Sequence, residues 1–384
     1  MNRKHFLVIV VALALMLAAA ALLLRSQRSA WTSSDTRLGQ KLLPELKLES
    51  VASIAIQDAR ATTTLVRHDA GWTVQQRADF PAAGERVRDL LLKLVELKIV
   101  QTEAVGASQL GRLQLVQPGA KDAQADAQGT RVDLKDAGGK TLAQVLLGKK
   151  VAATMAGAAT GPQEGTPTGR YATSGDSGKE SPAVFLVSDP LAQADPKPQA
   201  WLAKDLARVE RAKSIVATAP DGKQRFAISR NSEASEWKLA GAGKWDLQRV
   251  QDVASALYGM QLVDVVADPK LAAIEHPVVV KAQTFDDLTY TFKIDDKTDA
   301  GNNRIAISVA GEPPAARTPA KGETAEEKAK QDKLFAEQHA RLVERLARER
   351  SLERWTYLVS RPSIDALLRE RAQLLPEQKA AKKP

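Results

Sequence analysis

The stretch LESVASI at residues 48–54 returns near the middle of the chain as VERAKSI at residues 209–215, and each opens an alternating pattern typical of a β-strand. The two copies also end alike, because FLVSDP at residues 185–190 matches YLVSRP at residues 357–362. In both closing motifs a strand pattern stops at a proline, which cannot continue a sheet ladder. Matching beginnings and ends in the same order predict that the chain contains one fold twice.

Between these motifs, each copy carries a strand with a tryptophan, at residues 71–74 and 236–239, and then an amphipathic helix. Apolar residues in each helix step by four, three and three positions, which places them on one face. Several short strands around one long helix predict an α+β fold, in which helices pack on one face of mainly antiparallel sheets. The helix residues are Val87, Leu91, Leu94 and Leu97 in the first copy, and Val250, Ala254, Leu257 and Met260 in the second.

These patterns divide the chain into successive segments, and each repeat is long enough to bury a core of its own. The repeats are flanked by a cytoplasmic tip with a transmembrane anchor, by a juxtamembrane linker and by a basic tail. In order, the segments are the tip and anchor (1–30), the linker (31–45), the first α+β repeat (46–203), the second α+β repeat (204–376), which includes an inserted charged helix (323–350), and the tail (377–384).

The N-terminal segment predicts the compartment. Residues 6–24, FLVIVVALALMLAAAALLL, form an uncharged apolar run with basic residues on both sides. As a helix, this run would span roughly 28 Å, about the thickness of a membrane's hydrocarbon core. We expect a single-pass anchor in a bacterial inner membrane, with the N-terminus cytoplasmic and the bulk of the chain periplasmic. A cleaved signal peptide is the alternative, because the small residues 18–21 offer a cleavage site.

The charged helix at residues 323–350 has an apolar seam. Phe335, His339, Leu342 and Leu346 step by four, three and four positions, as in a heptad pattern. The seam lasts barely two heptads, which is too short for an independent coiled coil. Two interpretations remain open: a helix that lies on the surface of its own domain, or a helix that docks a partner.

The composition excludes several chemistries. The chain has no cysteine, which rules out disulfides, thiol catalysis and cysteine-based zinc sites. Its net charge of +9 over 384 residues is a small excess, and part of it flanks the apolar run. We therefore expect no nucleic-acid partner.

Three short motifs resemble functional sites but lack residues that the chemistry requires. GDSG at residues 175–178 resembles a serine-protease nucleophile, yet no histidine lies in a matching motif. Asp295 and Asp299 suggest a calcium loop, but Lys297 occupies a ligand position between them. GKT at residues 139–141 lacks the upstream glycine of a phosphate-binding loop. We expect no catalytic, cofactor-binding or metal-binding residues.

With its apolar N-terminus, its paired strand motifs and WLAKDL at residues 201–206, the chain resembles a bacterial family known as domain of unknown function 4340. The closing segment, residues 355–375, contributes to this resemblance, which covers about residues 35–376. The resemblance implies a membrane-anchored protein associated with ABC transporters of the gliding-motility type. It implies no activity and no catalytic residue.

The expected function is therefore that of a non-enzymatic, single-pass membrane protein with a duplicated extracytoplasmic domain. We expect it to act as an accessory or assembly subunit of an ABC-type transport complex, with the permease and ATPase as partners and the small-molecule ligand unspecified. One alternative is a cell-envelope module that binds polysaccharide, peptidoglycan or lipid without a transporter. Another is a hydrolase whose carboxylates come together from distant parts of the chain.

Overall fold

The computed structural model describes most of the chain from residue 37 onward. The anchor, including the apolar run 6–24, and the basic tail 377–384 lie outside the described residues. Contacts divide the described chain into two compact units that do not follow chain order: residues 37–62 with 85–196, and residues 63–84 with 197–376. The described ranges are 37–121, 123–152, 166–175, 183–320 and 322–376.

The first unit contains an antiparallel sheet. The strand that follows the helix in sequence lies at one edge of this sheet, where it pairs with the last strand of the unit. The helix is α1 (Gly84–Glu96), and all but its first residue belongs to this unit. In spatial order the strands are β1 (Ser53–Gln57), β6 (Thr130–Lys135), β7 (Thr141–Ala152), β8 (Pro167–Ser174), β9 (Val184–Val187) and β5 (Ile99–Glu103).

The second unit has an eight-stranded sheet, in which six strands follow the same succession as in the first unit and two more lie at one edge. In spatial order these are β12 (Lys238–Leu239), β11 (Gln224–Ser229), β10 (Ala212–Thr218), β14 (Pro277–Thr284), β15 (Thr289–Asp299), β16 (Asn302–Ala310), β17 (Thr356–Ser360) and β13 (Leu262–Val265). Its helices are α2 (Leu247–Ala256), α3 (Pro269–Ala272), α4 (Ala325–Ser351) and α5 (Arg361–Ile364).

The strands form where apolar residues alternate, because one face of each strand is buried and the other is not. The antiparallel register then aligns the buried positions of neighbouring strands. Ala217 of β10 pairs with Val280 of β14, Val280 pairs with Phe292 of β15, and Phe292 pairs with Ile307 of β16. All four side chains are buried, so this row forms the core of the second unit.

Residues 63–84 belong to the second unit although they lie early in the chain. They contain β3 (Gly71–Val74), β4 (Phe80–Pro81) and most of β2 (Thr62–His68). The guanidinium of Arg77 donates two hydrogen bonds to the carboxylate of Asp264, at 2.6 and 2.8 Å. The ring of Phe80 packs edge-on against Trp355 at 5.0 Å, and the indole of Trp355 donates to the carbonyl of Ala78 at 3.1 Å. A bidentate ion pair and aromatic packing therefore join this segment to residues far away in sequence.

The predicted α+β class is wrong, because the described chain consists mostly of two antiparallel sheets with few helices. The amphipathic patterns do form α1 and α2, which bury Val87, Leu91 and Leu94 in one and Val250 and Ala254 in the other. The predicted helix residues Leu97, Leu257 and Met260 lie beyond the ends of these helices. However, the 13-residue helix α1 covers only about 20 by 10 Å, roughly a third of the area of the six strands of the first unit. This helix therefore cannot form the continuous helical layer that was expected, and in the second unit α3 and α5 have only four residues each while α4 buries only Leu346 and Glu349.

The expected transmembrane helix at residues 6–24 lies outside the described residues. Within the part of the chain that the structure describes, no helix is both long and apolar enough to cross a membrane.

Candidate functional site

Helix α4 begins where its sequence provides a cap. The hydroxyl of Thr324 accepts a hydrogen bond from the backbone N–H of Glu327 at 3.3 Å, and the Glu327 carboxylate accepts one from the N–H of Thr324 at 2.9 Å. This capping box satisfies two backbone donors at the first turn. The backbone N–H and the hydroxyl of Thr324 lower the pKa of Glu327. The helix therefore starts with a stabilised negative charge, which suits the positive end of its dipole.

Only the last turns of α4 are buried against the sheet. Leu346 is 3% exposed and Glu349 is 5% exposed, and the helix packs on β16. The hydroxyl of Tyr290, in β15, donates to the Glu349 carboxylate at 2.7 Å. Burial and this neighbouring carboxylate raise the pKa of Tyr290 above its ordinary value. The contact anchors the C-terminal part of α4 to the core of the second unit.

Arg345 compensates the buried carboxylate. Its guanidinium lies 3.8 Å from Glu349, one turn further along α4, and also pairs with Glu210, which precedes β10. Because an unpaired buried charge is costly, Arg345 makes the burial of Glu349 tolerable. The ion pair with Glu210 adds a second attachment of the helix, near the start of β10.

A proline-containing segment, residues 312–320, runs to the N-terminal half of α4 and is clamped there by one arginine. Arg317 donates two hydrogen bonds to Glu323, both at 2.7 Å, and one to Asp332 of α4 at 2.6 Å. Hydrogen bonding to Arg317 lowers the pKa of Glu323. The clamp leaves space between this segment, the helix and the sheet.

That space is a groove of about 740 Å³, which we call the α4 groove. Phe335 and His339 stack on its helical wall, with ring centres 5.9 Å apart. Phe285, in the turn between β14 and β15, contributes a further aromatic surface. The lining residues are Glu210, Arg211, Phe285, Asp286, Pro313, Pro314, Ala316, Arg317, Thr318, Phe335, Gln338, His339, Arg341, Leu342 and Arg345.

The groove combines apolar walls with cationic groups. Arg211 is held by Glu233 and Asp286, while Arg317 and Arg345 are paired with acidic residues at the two ends of α4. Arg341 is exposed at the groove, and the described residues provide it with no ion pair. Such a lining suits a ligand or peptide segment that has both an apolar and an acidic part.

The predicted apolar seam of α4 lies at this site. Phe335, His339 and Leu342 line the groove, while Leu346 is buried beneath the helix. The other wall was not predicted, because Glu210, Phe285 and the proline-containing segment join the site only through folding. The insertion itself is a sequence signal for the proline-containing segment, because Pro313 and Pro314 lie in the inserted stretch before α4. No local pattern indicates Glu210 or Phe285.

Two of the three motifs that resembled catalytic or metal sites lie in or between strands of the sheets, and most of the third lies outside the described residues. Asp295 lies within β15, where the register with β16 shifts; its carboxylate pairs with Arg304 and accepts a hydrogen bond from the backbone N–H of Lys297 at 3.1 Å. The residues 139–141 lie at the β6–β7 hairpin, where Gly139 has a positive φ of 82°. Residues 176–178 of the GDSG motif lie outside the described residues.

No group of three or more potential metal ligands occurs among the residues that the structure describes. His68, at the end of β2, and His276, before β14, are both exposed. Of the two repeated tryptophans, Trp237 directly precedes β12 and is buried with the Arg230 guanidinium 4.8 Å from its ring centre, and Trp72 of β3 is half-buried.

Comparison with known proteins identifies one family. Neither curated proteins nor solved structures include a match to this chain. The family described as "Domain of unknown function (DUF4340)" matches residues 72–277, which is more than half of the chain. The match covers most of β3, then β4, α1 and the strands β5 to β9. It continues through β10 to β13 with α2 and α3, and it ends at the first residue of β14. The protein therefore belongs to the DUF4340 family.

Proposed function

We propose that this protein is a non-enzymatic, membrane-associated binding protein that acts as an accessory or assembly subunit of an ABC-type transport complex. In this proposal it resides at the bacterial inner membrane with the bulk of the chain in the periplasm, and it contacts the permease or ATPase. The transporter partner comes from the family resemblance, and the membrane location comes from the apolar sequence of residues 6–24.

The observation that carries a role in binding is the exposure of α4. This 27-residue helix buries only Leu346 and Glu349, both near its C-terminus. Elsewhere on the helix, Leu334 and Val343 are more than 40% exposed. A helix attached to the sheet at one end, with exposed apolar side chains along its length, is suited to contact a partner helix or groove.

Site-specific photo-crosslinking tests this proposal in cells that produce the full-length chain. A photoreactive amino acid at Leu334 or Val343 is expected to crosslink to a transporter subunit. The matched control places it at Leu271, an exposed apolar residue on α3 of the same unit. Crosslinking to the same proteins from Leu271, or no transporter subunit captured from α4, would contradict the proposal.

The α4 groove favours the envelope-binding alternative as a second candidate. A cavity of about 740 Å³ with aromatic and arginine side chains has the size and character of a ligand site. Binding of the detergent-solubilised full chain to purified peptidoglycan tests it, with Phe335→Ala as the groove variant. If the peptidoglycan retains less of the Phe335→Ala variant than of the unaltered chain, the result supports the alternative. Equal retention of the two proteins contradicts a ligand site in the groove.

A further inference from the structure

A second cavity lies in the first unit, at the ends of β5, β7 and β8. It has a volume of about 580 Å³. Three cationic side chains line it, from Arg112, Lys149 and Lys150, together with the half-buried Tyr171 and Glu103. We call it the basic cleft. It shares no residue with the α4 groove, so a ligand bound there is separate from the proposed function.

An irregularity in β7 brings two consecutive lysines to the same cleft. In a regular strand, neighbouring side chains point to opposite faces. The pairing of β7 with β8 shifts its register between Leu147 and Lys150, which interrupts that alternation. Lys149 and Lys150 lie at this shift and both line the cleft, followed by Val151 and Ala152.

A glycine allows Arg112 to approach the end of this strand. Arg112 lies in the 3₁₀ segment Ala107–Leu113, which crosses β7 at Gly148. A side-chain β-carbon at position 148 would lie 2.3 Å from the carbonyl oxygen of Leu113, closer than any real contact of this kind. Gly148 therefore permits the close approach that places the arginine beside the two lysines.

The charges in the cleft are unbalanced. Arg112, Lys149 and Lys150 are exposed, and none forms an ion pair within the described part of the chain. The single carboxylate among the lining residues, Glu103, accepts a hydrogen bond from the amide of Gln101 at 3.0 Å. Three cations facing one carboxylate create a local positive potential that attracts an anion.

We propose that the basic cleft binds the phosphate group of an anionic phosphate ester. The planar guanidinium of Arg112 can donate two parallel hydrogen bonds to phosphate oxygens, and the ammonium groups of Lys149 and Lys150 supply further donors and charge. Val105 and Leu113, which also line the cleft, provide a small apolar surface for the adjoining part of the ester. A soluble phosphate compound and an anionic lipid headgroup share this chemistry.

Lysine-labelling kinetics on the full-length, detergent-solubilised chain test the proposal. An amine-reactive reagent modifies exposed lysines, and mass spectrometry gives the rate at each one. Lys47 and Lys140 are exposed lysines of the same unit away from the cleft, and they serve as internal controls. The probes are inorganic phosphate, short-chain phosphatidylglycerol and short-chain phosphatidylcholine.

We expect an anionic probe to slow labelling of Lys149 and Lys150 by about threefold or more, with little change at Lys47 and Lys140, because a bound anion both blocks the amines and stabilises their protonated form. Protection by inorganic phosphate indicates a soluble ligand. Protection by phosphatidylglycerol alone indicates a lipid headgroup. The substitution Arg112→Gln keeps both lysines and is expected to abolish most of the protection.

Four results would overturn the proposal: no slowing of Lys149 and Lys150 by either anionic probe, equal slowing at the control lysines, equal protection by zwitterionic phosphatidylcholine, or protection that survives Arg112→Gln. Thermal unfolding of the variant, followed in parallel, shows whether the fold is retained. Because Arg112 is exposed, we expect no change in its unfolding temperature beyond a few degrees.

Discussion

The hydrogen bond between Tyr290 and Glu349 is expected to hold α4 on the second unit. Both side chains are buried, and the hydroxyl lies 2.7 Å from the carboxylate. Tyr290→Phe removes the donor while the ring still fills its space. Since a hydrogen bond to a charged group contributes about 1.5–3 kcal/mol, we expect the free energy of unfolding to fall by about that amount. Arg345 still compensates the carboxylate, which places the expected loss toward the lower end of this range.

A double-mutant cycle separates this bond from other effects. Glu349→Leu leaves the Tyr290 hydroxyl buried without its partner, at a cost of about 1–3 kcal/mol. With both substitutions present, neither polar group is left unpaired, so the combined loss is expected to be smaller than the sum by at least about 1 kcal/mol. Tyr258→Phe is the control, because Tyr258 is 57% exposed and its loss is expected to stay within about 0.5 kcal/mol.

Urea denaturation of the full chain measures these free energies, and hydrogen exchange over residues 340–351 reports whether α4 leaves the sheet. We expect faster exchange in this segment for both single variants. The reasoning would be refuted if the two single losses in free energy of unfolding add up to the loss in the double variant within about 0.5 kcal/mol. It would also be refuted if hydrogen exchange of residues 340–351 stays unchanged in the single variants.

Three further predictions concern other parts of the chain. Burial and Glu349 raise the pKa of Tyr290 in the folded state. The stabilisation that comes from the protonated Tyr290 hydroxyl is therefore complete below pH 10 and is lost as the pH rises above that value. In Tyr290→Phe, the free energy of unfolding should depend less on pH in this alkaline range. Gly148→Ala should lower the free energy of unfolding by more than about 2 kcal/mol, because the added β-carbon would collide with the carbonyl of Leu113. Gly106→Ala is the control, because a β-carbon there meets nothing within 4 Å, and it should be neutral or slightly stabilising. Urea denaturation measures both variants. Thr324→Ala should cost about 1 kcal/mol and increase hydrogen exchange in the first turn of α4, and unchanged exchange there would contradict the role of the cap.

Local patterns predicted the individual elements well. The tryptophan strand of the first copy forms β3 over the predicted residues 71–74, and the charged helix predicted at 323–350 is α4 at Ala325–Ser351. These elements depend on alternation, capping and helical periodicity, which act over a few residues and can be read directly. The fold class was wrong for a related reason. Periodicity shows that a helix forms but not how much of a sheet it covers.

The candidate sites were only partly predictable. The seam of Phe335, His339 and Leu342 was visible, because its spacing defines one face of a helix. The buried partner of Glu349 was not, since Tyr290 lies in a strand far from it in sequence and their contact depends on how the helix docks. In the basic cleft, adjacent lysines in a strand pattern predict opposite faces, whereas the structure shows a shifted register at Lys149 and Lys150 and both residues at the cleft.

Short-range chemistry thus accounts for the strands, the hairpin turns and the start of α4, since the residues responsible lie within a few positions of one another. Long-range pairing accounts for the rest. Residues 63–84 join the second unit through Arg77–Asp264 and Phe80–Trp355, and the α4 groove is closed by side chains from three separate regions. Such contacts follow from the order and register of strands in the sheets, which many distant residues set together and no local pattern encodes.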